Sequence, residues 1–65
     1  MTFESALSDC RRAASSGFLL ADDPDARLER ALAWADDLAR EGLVPEAFLD
    51  RLHGELRAES AAGSL

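Results

Sequence analysis

Apolar residues recur in the opening stretch TFESALSDCRRAASSG at Phe3, Leu7, Cys10 and Ala14, at steps of four, three and four. That is the spacing of one helical face. It predicts a first helix over residues 3–16, capped by Thr2, with Glu4 in the first turn where the helix dipole favours a carboxylate. Arg11 and Arg12 fall toward its other end. Gly17 supplies the left-handed residue that commonly ends a helix. Phe18, Leu19 and Leu20 then read as an apolar connection that something must cover, not as a flexible linker.

A second pattern starts at Asp23-Pro24. Aspartate accepts free amides of a first turn, and proline fits the first helical position without losing a needed donor. Leu28, Ala31, Leu32, Ala35, Leu38 and Ala39 form one stripe, with Glu29, Ala33, Asp36 and Arg40 opposite. The expected helix covers 24–41. Asp36 and Arg40 stand four apart in the favourable orientation for an ion pair, and Arg30 is placed to lie over Trp34.

The segment from Gly42 to Pro45 reads as a built corner. Gly42 ends the second helix, and Leu43 is positioned to fold back on Leu38 and also to touch Phe48 as a hydrophobic staple. Pro45 starts a third helix over 45–58, with Phe48, Leu49, Leu52 and Leu56 on its stripe. Val44 is the weak point, because at the cap position it offers no side-chain acceptor to the first-turn amides. Fraying is expected after Arg57, leaving residues 59–65 as a disordered tail behind a single domain of residues 1–58. Gly54, in mid-helix, costs about 1 kcal/mol relative to alanine and points to close approach of another helix.

Composition agrees with an all-α fold of three short helices: one valine, no isoleucine and one threonine disfavour a sheet, and 48% hydrophobic residues disfavour disorder. A net charge of −6 makes nucleic-acid backbone and anionic membrane poor partners and a basic protein surface a good one. All seven basic residues are arginine, which together with the abundance of alanine and leucine suggests a GC-rich bacterial or archaeal genome. Cys10 is the single cysteine, so neither an intrachain disulfide nor a multi-cysteine metal site is possible, and a reducing cytoplasm is the simplest home. The N-terminus shows no leader pattern, and no apolar run reaches membrane-spanning length.

Candidate chemistry is sparse. Glu46, Asp50, His53 and Arg57 run down one side of the third helix, and Asp-x-x-His could contribute to a divalent metal site, although Arg57 would repel the cation. His53 has no serine, cysteine or lysine in helical register to activate. Cys10, on an apolar stripe, reads as a small buried hydrophobe, with a reactive thiol as the alternative because Arg11 and Arg12 are close. Asp22, Asp23 and Asp25 could suggest calcium, yet Pro24 interrupts the alternation of oxygen ligands and helix-start chemistry accounts for them. A DNA-binding helix-turn-helix would have to present Glu46 and Asp50 to phosphate.

Leu38, Gly42, Leu43, Val44, Glu46, Leu49 and Leu56 give residues 35–56 a resemblance to the short helical hairpins called SHOCT domains. Pro45 stands where that family usually has a capping threonine, and the family's lysines are missing from the second helix. The resemblance implies a helical hairpin and no particular activity. These features together predict a small acidic, non-catalytic interaction module without a cofactor, such as an inhibitor, an immunity or antitoxin-like protein or an adaptor, with a basic protein partner. A metal-dependent subunit built on Glu46, Asp50 and His53, and a DNA-mimic inhibitor, are the alternatives. So many large apolar groups on so short a chain also predict a homodimer, whose seam would draw on Trp34, Leu38, Leu43, Phe48, Leu49, Leu52 and Leu56.

Overall fold

The structure, a computed structural model, describes residues 1–16 and 23–65. The expectations for Gly17, Phe18, Leu19, Leu20 and Asp22 lie outside the described residues. Three helices follow one another, α1 (Phe3–Ser15), α2 (Pro24–Arg40) and α3 (Ala47–Ala61), and there is no strand among the described residues. The Cα radius of gyration is 11.1 Å, near the roughly 10.7 Å of a compact chain of this length.

The first two helix starts follow the sequence. The Thr2 side chain accepts from the Ser5 amide at 3.1 Å, and the Asp23 carboxylate accepts from the Asp25 amide at 3.1 Å with Pro24 next to it. The end of α1 is closed by Ser16, whose amide and hydroxyl donate to the Ala13 carbonyl at 3.2 and 2.7 Å, and also from α2. Arg30 of α2 donates two hydrogen bonds to the Ala14 carbonyl, at 2.7 and 3.2 Å, and Arg27 donates to the Ser15 hydroxyl at 3.1 Å. Cations there complement both the free carbonyls and the negative end of the dipole. Arg30 therefore serves α1 and not the Trp34 ring.

The corner between α2 and α3 differs from expectation in an instructive way. Gly42 is left-handed at φ 76°. Its amide donates to Ala39 and the Leu43 amide donates to Leu38, at 3.1 and 2.9 Å, which is the Schellman pattern. Leu43 supplies only its backbone to this closure, for its side chain is 51% exposed. Val44 is the residue that folds inward, at 3% exposure. Val44 consequently is not the cap of α3, which begins two residues later than expected, after Glu46. No side chain caps it; the Phe48 and Leu49 amides donate instead to the Pro45 and Glu46 carbonyls at 2.9 and 3.0 Å. A tight i to i+3 turn thus meets first-turn amides that would otherwise need a partner.

At its other end α3 continues to Ala61, past the expected fraying point. Gly63, with φ 75°, and Ser64 donate to Ser60 and Glu59 at 3.1 and 2.8 Å, repeating the Schellman closure used at Gly42. Leu65 packs against the core, and its carbonyl accepts from Arg27 at 2.9 Å. Residues 59–65, expected as a disordered tail, thus hold the last turn of a helix, its cap and a core contact, because Gly63 provides a stop and Leu65 an apolar anchor.

The core consists of Ala6, Leu7, Cys10 and Ala14 of α1, Ala31, Ala35 and Leu38 of α2, Val44 of the corner, and Leu52 and Leu56 of α3. Four alanines, two from each of α1 and α2, are fully covered, and these two helices share the most extensive contact of the three pairs. Short side chains let helix backbones approach closely. Phe3 and Phe48 meet edge to face with ring centres 5.9 Å apart, and Arg51 stacks over the Phe3 ring at 4.2 Å. Arg11 grips Glu59 through two parallel hydrogen bonds of 2.8 and 2.6 Å and so ties α1 to α3.

Candidate functional site

The carboxylate and imidazole column of α3 is not brought together as a metal site. Glu46 precedes the helix, Asp50 lies exposed in its first turn, and His53 turns toward α2, where its Nε2 lies 3.0 Å from Asp36 Oδ1. Among the described residues no three His, Cys, Asp or Glu side chains are grouped to hold an ion. The physical reason is register: His53 sits on the edge of α3 that faces α2, so its partner comes from across the helix pair and not from its own helix. Asp36 is thereby engaged with His53, and Arg40 pairs with Asp37 at 2.9 Å instead of with Asp36. No spacing within a single helix could have revealed the Asp36–His53 pair, since it depends on how α2 and α3 dock.

Cys10 is fully buried, and burial, followed by the neighbouring Asp9 carboxylate, pushes its thiol up to about 11. Such a thiol stays protonated at neutral pH and is a poor nucleophile. Arg12 does not activate it, because it pairs with Asp9. Asp23 caps α2, as helix-start chemistry requires. The Arg11 hydrogen bonds hold the Glu59 carboxyl below its ordinary range, against a smaller opposing effect of burial.

The seven residues expected at an interface divide into three groups. Leu38, Leu52 and Leu56 are at 4%, 0% and 0% exposure within the chain's own core. Phe48 and Leu49 are half-buried against that core. Trp34 and Leu43, at 43% and 51%, are exposed and, with Met1, are the only large hydrophobic side chains so placed among the described residues. Trp34 forms one wall of a shallow cleft of about 350 Å³ between α1 and α2, completed by Asp9, Arg12, Ala13 and Ser16. A smaller cleft of about 280 Å³ opens between α2 and α3, where Asp36, Arg40 and Glu46 stand over Ala39 and Leu49.

Comparison with known proteins adds nothing to this geometry. No family model, curated protein or solved structure matches the chain. The likeness of residues 35–56 to SHOCT hairpins therefore rests on its few quoted positions alone, and a glycine-closed helical corner accounts for them. No helix among the described residues is long and apolar enough to cross a membrane.

Proposed function

We propose that this chain is a small acidic, non-catalytic interaction module of the inhibitor, immunity, antitoxin or adaptor kind, which binds a larger basic protein in the cytoplasm. The observation that carries this reading is Trp34: among the described residues most large apolar side chains are buried or half-buried, yet the one tryptophan is 43% exposed, at the edge of a cleft. Tryptophan is the residue type most enriched where binding energy concentrates. The charge distribution supports a basic partner. Arg11, Arg12 and Arg40 pair with carboxylates, Arg27 and Arg30 donate to α1 and to Leu65, and Arg51 stacks on Phe3. Glu29, Glu41, Glu46 and Asp50 are exposed, so the field presented outward is negative and favours association with positive surfaces. A DNA-mimic inhibitor would draw on the same carboxylates, and competition with DNA for the captured partner identifies that variant.

Of the residues expected at a homodimer seam, Leu38, Leu52 and Leu56 are covered by the chain itself, whereas Trp34 and Leu43 stay exposed. A second copy would have Trp34, Leu43 and the rims of Phe48 and Leu49 to pack against, and would bring two charges of −6 together. The test is affinity capture from the source cells with tagged wild type and Trp34→Ala, each checked for helicity. A basic protein held by the wild type, released by rising salt and lost from the folded Trp34→Ala chain is the expected result. A partner held equally by both, or insensitive to salt, overturns the proposal. Light scattering at micromolar concentration is expected to return 7.0 kDa; twice that mass would replace the foreign partner with a second copy.

A further inference from the structure

We draw no further inference here: the strongest candidate, the cleft between α1 and α2 walled by Trp34, Asp9, Arg12, Ala13 and Ser16, belongs to the surface already proposed for the partner, and nothing in the structure shows what covers it.

Discussion

Replacing Gly54 by alanine separates a free face of α3 from a packed one. Gly54 lies mid-way along α3, exposed, and a Cβ added there meets no atom within 4 Å. Its φ is not in the left-handed region, so alanine adopts the same backbone without strain. The methyl group then contributes only the difference in helix propensity, about 0.8–1 kcal/mol, much of it from restricting the unfolded chain. For a domain of this size that corresponds to a rise in Tm of roughly 4–8 °C. Circular dichroism at 222 nm, followed through thermal and urea unfolding at several protein concentrations, reads the change. An unchanged or lowered Tm would refute the reasoning. A loss that grows with protein concentration would further show that the small residue admits a second copy, the role the sequence pattern suggested for it.

Leu52 has no exposed surface, so Leu52→Ala is expected to cost about 2–5 kcal/mol. That equals most of the roughly 3–5 kcal/mol a core of this length supplies, and the variant should be largely unfolded at 25 °C by circular dichroism; a fully helical, cooperatively melting variant would contradict the assigned core. Cys10, buried and protonated, should react with an aromatic disulfide reagent at pH 8 only after denaturant is added, and rapid reaction of the native chain would contradict its placement. Glu59 has a lowered folded-state pKa, so its contribution is complete above the unfolded carboxylate value of roughly 4.3 and is lost as pH falls through the lower folded one. Glu59→Gln should therefore lower stability at pH 7 by less than about 1 kcal/mol, the pair being partly exposed, and the difference from wild type should vanish in acid; a difference that persists at pH 2 would show that the fork does not act through charge.

How much of this was legible in the sequence follows from the range of the forces involved. Helix starts at Thr2 and Asp23-Pro24, the glycine closure at Gly42 and the buried stripe of α2 are local, each decided within a turn or two of chain, and the pattern of residues shows them directly. Leu43 and Val44 could not be ranked the same way. Either aliphatic could fold inward after Gly42, and the choice depends on the direction in which α3 leaves the corner. Arg30 likewise had a plausible local partner in Trp34 and found a better one in the Ala14 carbonyl, which only the docking of α1 supplies. The continuation of α3 was hidden because AESAAGSL has no apolar repeat; Gly63 and Leu65 were the signals there, and they carry meaning only with a core to receive the leucine. For the candidate site, the place of Trp34 among the interface residues was legible, whereas the Asp36–His53 pair was not.

The four fully buried alanines of α1 and α2 limit how this chain can change. Alanine has no side-chain torsion to immobilise, so Ala6, Ala14, Ala31 and Ala35 fill core positions without the rotamer entropy that larger core residues lose on ordering. That suits a chain with little stability to spare. These positions are intolerant in both directions: glycine would weaken either helix by about 1 kcal/mol, and a larger side chain would overpack the core around it. Substitutions should therefore collect on the outer faces of all three helices while these four positions stay fixed, and a drifting lineage of this fold would keep its alanines longer than its charges.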